Sequence, residues 1–166
     1  MSRKPLEGIK VLNLTRVLAG PYCTMVLKNL GAEIIKIERP KYGDESRGFG
    51  PYIDGESIYF ISINRGKKSI EVDLKSEDGK KVFFEILKQV DIVAENFKPL
   101  GYEVLKEKKP DIIYAAMSGF GHSGPYSTRP AYDMIVQAMG GIMSITGQPD
   151  GEPTRVGTSV GDITAG

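Results

Sequence analysis

The chain alternates short, continuous apolar runs with stretches of helical periodicity, and that alternation leaves few folds open to it. "IKVLNL" (residues 9–14), "AEIIKIE" (32–38), "DIVAENF" (91–97) and "DIIYAAMSGF" (111–120) are too short for helices and too uniformly apolar for strands with one wet face. They read as strands buried on both sides. Between the first two, Pro21 opens a helix, "YCTMVLKNL" continues it and Gly31 ends it, completing a βαβ unit. "YFISIN" and "KSIEVDL" read as further strands. Ser76 caps a helix whose Val82, Phe83, Ile86, Leu87 and Val90 share one face, and another helix spans residues 133–139. The expectation is an α/β, Rossmann-like, mostly parallel sheet with flanking helices. The longest stretch without an element, residues 40–57, is a candidate functional loop.

Composition removes several classes of function. A net charge of +1 over 166 residues gives no case for nucleic acid or an anionic membrane as the main partner. No apolar run approaches membrane-spanning length, and "MSRKPLEGIKVL" lacks a leader's apolar stretch. One Cys and one His make a zinc site of the usual ligand types a poor expectation, so no metal is assigned. A single cysteine also suits a reducing compartment, and the reading is a cytoplasmic protein.

Ligands of such sheets collect at the carboxyl ends of the strands. "LTRVLAGPYC", after the first strand, has the position of a nucleotide loop but one glycine, which disfavours a plain NAD site and also fits a tight turn. In "IERPKYGDESRG", Glu38 and Arg39 occupy the places that meet a ribose hydroxyl and a ribose phosphate, and a solvated charged loop is the competing reading. Asp162, in "GDITAG", is either a helix N-cap or an ionised carboxylate able to attack an activated acyl group. His122 lies in a glycine-flanked loop without a catalytic partner, and Cys23 lies inside an apolar helical run.

Six stretches in order resemble one family: "PLEGIKVLNLTRVLAGPYCTMVLKNLGAEIIKIERPKYGDESR", "NRGKKSIEVDLKSEDG", "DIVAENFKP", "DIIYAAMSGFGHSGPY", "YDMIVQAMGGIMSITG" and "GTSVGDITAG". They are similar to the class III coenzyme A-transferases, which include formyl-CoA transferase, carnitine CoA-transferase and α-methylacyl-CoA racemase. The resemblance implies coenzyme A as ligand, an acyl-CoA donor, a carboxylic acid acceptor and an intertwined homodimer. It implies that Val17, Leu18, Arg39, Val72, Lys75, Asn96, Phe97, Lys98, Ala131, Tyr132 and Asp133 contact the cofactor, and that Asp162 is the nucleophile. The implied mechanism passes through an aspartyl anhydride and an aspartyl-CoA thioester.

The alternatives are a racemase or epimerase of the same fold, and a non-catalytic CoA-binding fragment or split subunit. Racemases resembling this chain carry histidine where Tyr132 stands, and a phenol of ordinary pKa, about 10, is a poor general base. Transfer is therefore preferred. Two departures stand out. A loop segment with an Arg, usual in the family after "ENFKP", is missing, and the family's chains are more than twice as long by resemblance. Residues 1–166 are thus expected to be the amino-terminal part of a large CoA-binding domain, with the small domain absent and the isolated chain catalytically silent.

Overall fold

The computed structural model describes residues 3–97 and 101–166. β1 (Lys10–Asn13) runs into α1 (Ala19–Asn29) and returns as β2 (Glu33–Glu38). Pro21 sits in the first turn of α1, where its missing N–H has no intrahelical acceptor to lose. Gly31 closes the helix at φ +115°, a backbone state that favours glycine. A 3₁₀ turn (Glu45–Gly48) and a small antiparallel hairpin of β3 (Tyr52–Ile53) and β4 (Glu56–Ser57) follow.

"YFISIN", expected as a strand, is instead α2 (Ile58–Asn64). The Ser57 hydroxyl accepts the Phe60 N–H at 3.1 Å, which starts the helix. Coiling then places the Phe60 ring 3.8 Å from the Arg47 guanidinium and buries Ile63. Here capping and tertiary partners override the β preference of aromatic and branched residues.

β5 (Lys68–Glu71) leads to α3 (Glu77–Leu87), β6 (Ile92–Glu95), α4 (Tyr102–Lys108) and β7 (Ile113–Ala116). Ser76 caps α3 as the sequence predicts, accepting the Gly79 N–H. The buried stripe of α3 is narrower than expected: Phe83 and Leu87 are buried with Val90 beyond the helix, while Val82 is 42% exposed. Gly79 is needed for close approach, because a Cβ there would lie 1.9 Å from the Asp73 carbonyl oxygen. "YEVLKEK", to which the sequence pattern assigns no element, forms α4. The last strand is only Ile113–Ala116, shorter than its apolar run. α5 (Asp133–Met139), a 3₁₀ turn (Ile142–Ile145) and α6 (Val160–Ala165) complete the chain. Among the described residues no helix is long and apolar enough to cross a membrane.

The five main strands pair in parallel in the order β5-β2-β1-β6-β7. Chain order thus runs outward from β1 in one direction, then reverses and continues from β6. That is a doubly wound sheet. Successive residues point to opposite faces, so Leu12 and Val93 join one apolar cluster with Phe83, Leu87 and Leu105, while Val11 and Ala94 join another against Leu27 of α1. Both faces are covered, as a parallel sheet requires. The reversal between β1 and β6 sets where the site lies.

Candidate functional site

A cleft of about 410 Å³ opens at the carboxyl ends of β1, β2, β5 and β6, with Leu14, Ile37 and Val72 among its apolar lining and Arg16, Arg39 and Lys75 among its cations. It lies beside the topological reversal, where doubly wound sheets bind their ligands. The loop after β1 that forms one wall is held by buried charge. Lys36 and Asp44 are 1% and 2% exposed and pair at 2.8 Å, and the Lys36 ammonium also donates to the Thr15 carbonyl at 2.7 Å. The Asp44 carboxylate further accepts the Val17 N–H at 3.1 Å and both the N–H and hydroxyl of Ser46. Burial pushes the Asp44 carboxyl up, but Lys36 and the Ser46 donors outweigh it and hold it below its ordinary range. Val17 is thereby kept at φ +67°, an unfavourable conformation for a β-branched residue that persists only where its surroundings enforce it.

Asn96 secures the same loop from β6. Its carbonyl accepts the Arg16 N–H at 3.0 Å and its amide donates to the Arg16 carbonyl at 2.8 Å. The Arg16 guanidinium then lies 4.6 Å from the centre of the Phe97 ring and pairs with Glu45 at 2.8 Å. Arg39 approaches the same Glu45 oxygen at 3.5 Å. Two buried polar atoms here, Arg16 Nε and Glu45 Oε2, have no partner. Glu38, almost fully buried, accepts from Arg47 Nε and Nη2, each at 2.8 Å, from the Ser69 hydroxyl and from the Asp44 N–H. Burial opposes ionisation of Glu38, yet these donors bring its pKa down to about 2. Cations at the rim, an apolar floor and an exposed aromatic edge suit a ligand that joins a planar base to phosphates.

Asp162 lies outside this cleft, on α6, which packs against α1 and α5. Ser159, not Asp162, occupies the N-cap position, so the capping expectation is corrected: Asp162 is the third residue of the helix. The N–H groups of Gly161 and Asp162 point to the Asp133 carboxylate, at 2.8 and 3.4 Å. Asp162 is half-buried, and burial followed by the charge of Asp133 pushes its carboxyl above the ordinary range. This is opposite to the direction expected from the helix dipole alone. Tyr59 of α2 is near enough that Asp162 adds to the effect of burial in raising the phenol's pKa.

Residues 6–166 match the sequence profile of CoA-transferase family III. The chain belongs to that family. Among its relatives are an acetyl-CoA:oxalate CoA-transferase of Acetobacter aceti, 49% identical over 98% of this chain and 44% of the relative, and a human succinyl-CoA:glutarate CoA-transferase, 47% identical over 98% and 39%. A CAIB/BAIF family protein from Brucella suis, solved by crystallography, superposes with a TM-score of 0.92 at 43% identity, over 98% of this chain and 46% of that one. The chain spans less than half the length of these relatives.

In this CoA-transferase family chain, Arg39, Val72, Lys75 and Phe97 line the cleft together. Val17 and Leu18 belong to the loop that walls it, and Asn96, just after β6, is committed to the Arg16 backbone. Lys98 lies outside the described residues. Ala131, Tyr132 and Asp133 stand apart at the start of α5 beside Asp162. Tyr132 is 78% exposed, and Asp133 is buried with its oxygens engaged by N–H donors. The end of α6 meets the start of α1, since a Cβ on Gly166 would lie 2.2 Å from the Ala19 carbonyl. The start of α1, which follows the cleft-wall loop, thus lies against the helix that carries Asp162. Sequence reasoning missed Arg16, Lys36, Asp44, Glu45, Tyr59 and Gln137. A lysine inside the apolar run "EIIKIE" and the turn signature "GDES" were the available signals for Lys36 and Asp44. Among the described residues no three His, Cys, Asp or Glu side chains gather to hold a metal.

Proposed function

We propose that this chain is the amino-terminal, CoA-binding part of an acyl-CoA:carboxylate CoA-transferase, with Asp162 as nucleophile. The observation that carries the reading is the apolar-floored cleft at the sheet reversal, with Arg39 and Lys75 among its lining, in a chain that also holds a half-buried aspartate and whose relatives are named as CoA-transferases. An Asp162 oxygen attacks the acyl-CoA carbonyl, the C–S bond breaks, and CoA leaves as thiolate with the electron pair. The product is a mixed anhydride. The thiolate then attacks the aspartyl carbonyl and expels the first carboxylate, leaving aspartyl-CoA thioester. The acceptor carboxylate attacks that thioester and releases thiolate, which takes the new acyl group and restores the Asp162 carboxylate. Each intermediate remains activated, so water must be kept out.

In this reading Arg39 meets a phosphate of the CoA nucleotide, while Val17, Leu18, Val72, Lys75, Asn96, Phe97, Lys98 and the strip Ala131, Tyr132 and Asp133 complete the CoA contacts. The remainder of the domain, the small domain and a second protomer complete the acyl pocket, in a cytoplasmic dimer. Racemisation is disfavoured by tyrosine at position 132. Incubation of the complete protein with acetyl- or succinyl-CoA should leave a CoA adduct on the Asp162 peptide, detected by mass spectrometry, and Asp162→Ala should abolish adduct and turnover. Near-normal exchange in that variant overturns the mechanism. Arg39→Ala should weaken CoA more than dephospho-CoA if its partner is the ribose phosphate.

A further inference from the structure

Beyond Ile112 the buried side chains among the described residues are two polar ones, Asp133 and Gln137, at 7% and 0% exposure. They form a single bonded unit. Asp133 Oδ2 accepts the Gln137 amide at 2.6 Å, and Gln137 Oε1 accepts the Val156 N–H at 2.8 Å. The same amide reaches the Thr158 carbonyl at 3.3 Å, while Asp133 Oδ1 takes the N–H groups of Gly161 and Asp162. One side-chain pair on α5 thus engages four successive parts of the segment that carries Asp162. The N-cap residue of α6, Ser159, makes no side-chain cap bond, so Asp133 supplies from another helix what the local sequence does not. Gly161 allows the approach: a Cβ there would sit 3.0 Å from Asp133 Oδ1 and 3.2 Å from Val136.

The charge of Asp133 matters separately from its hydrogen bonds. Its oxygens only accept, the pattern of an ionised carboxylate, and among the described residues no Lys or Arg lies within ion-pairing distance. A buried anion satisfied by neutral donors keeps its field, and that field falls on its neighbour. Among the described residues, the other titratable group whose field couples to Asp162 is Tyr59 from α2, which is not a cation.

We infer that Asp133 is the positioning residue of the nucleophile, its carboxylate fixing the Gly161–Asp162 backbone while facing Asp162 with an unneutralised negative charge. This rests on Asp162 being the nucleophile. Asp133 thereby supports the reacting group in addition to its place in the proposed contact strip. Its charge makes Asp162 more basic, and a more basic carboxylate is the stronger attacking group while it remains ionised. The direction agrees with the raised Asp162 pKa.

The test is a paired swap, Asp133→Asn with Gln137→Glu. The introduced asparagine can still accept the Gly161 and Asp162 N–H groups through its carbonyl oxygen, and its amide can donate to the introduced glutamate. The second oxygen of that glutamate can accept from the Val156 N–H. Net charge and most of the bonding survive, but the carboxylate moves away from Asp162. Carbon-13 titration of the Asp162 carboxyl in this chain should show its midpoint falling toward the ordinary value of about 3.9. In the complete enzyme kcat should drop several-fold with KM for acyl-CoA little changed, and the acid limb of the pH profile should move down with the midpoint. Asp133→Asn alone serves as a second variant and should shift the midpoint the same way. An unmoved midpoint in both variants overturns the inference. Should Asp162→Ala retain turnover, the nucleophile reading falls, and the titration still decides whether Asp133 acts on Asp162.

Discussion

Residues 10–112 bury a large apolar core together with polar groups such as Lys36, Glu38 and Asp44 beside the cleft, whereas the buried side chains described in residues 113–166 are polar only. The first region places Val11, Leu12, Ile34, Phe83, Leu87, Val93 and their neighbours in two apolar layers on either side of a parallel sheet. The second buries Asp133 and Gln137 and leaves Met134, Met139 and Ile145 at 54%, 55% and 87% exposure. Apolar burial is non-directional and holds a region broadly, whereas hydrogen bonds fix particular backbone groups and contribute modestly to overall stability. The apolar layers thus provide rigidity, and hydrogen-bonded polar groups, in the cleft loop and again in the following segment, provide placement. Each suits its part of the proposed reaction: a cleft that holds a large ligand, and a turn that aims one carboxylate.

The difference can be broken experimentally, most forcefully in the core. Phe83→Ala should cost roughly 3–5 kcal/mol by urea unfolding, because it opens a cavity between α3 and the sheet. An effect below about 1 kcal/mol would mean that the sheet does not depend on that layer. Acid comes next. Glu38 has a folded pKa of about 2 against an ordinary 4.5, so its contribution is complete above pH 4.5 and is lost as pH falls toward 2. That difference corresponds to about 3 kcal/mol, and Glu38→Gln should flatten that part of the stability–pH curve.

Gln137→Leu sharpens the comparison. It leaves the Val156 N–H and one Asp133 oxygen unpaired, a local loss of roughly 1–3 kcal/mol. Hydrogen exchange should quicken across residues 156–162 while the amides of β6 keep their protection. Equal loosening in both places would show that the two regions unfold as one. The smallest effect belongs to Val82→Ala, expected within roughly 0.5 kcal/mol because that side chain already faces solvent. A cost approaching that of Phe83→Ala would restore the wider stripe read from the sequence.

The runs at Ile9, Ala32, Asp91 and Asp111 announced their strands because a strand buried on both faces has to be apolar almost throughout. Pro21, Gly31 and Ser76 marked helix ends through backbone states and caps that depend on neighbours only a few residues away. "YFISIN" misled for the complementary reason: its preference is a matter of partners, and its partners, Arg47 and α1, are distant in sequence. The cleft residues Arg39, Val72, Lys75 and Phe97 were legible by resemblance, and the cleft that gathers them exists only because β1, β2, β5 and β6 end at the same edge.

Sequence alone therefore determined the fold class, the family and the identity of Asp162 as a candidate, since each rests on local periodicity or on matched motifs. Tertiary structure decided what surrounds those residues. Val17 is held at positive φ by Asp44, and Arg16 is fixed by Asn96 from 80 residues away. Asp162 is third in its helix, set there by a carboxylate 29 residues earlier. Burial and neighbouring charge are sums over atoms from every element nearby, and no short stretch of sequence contains them.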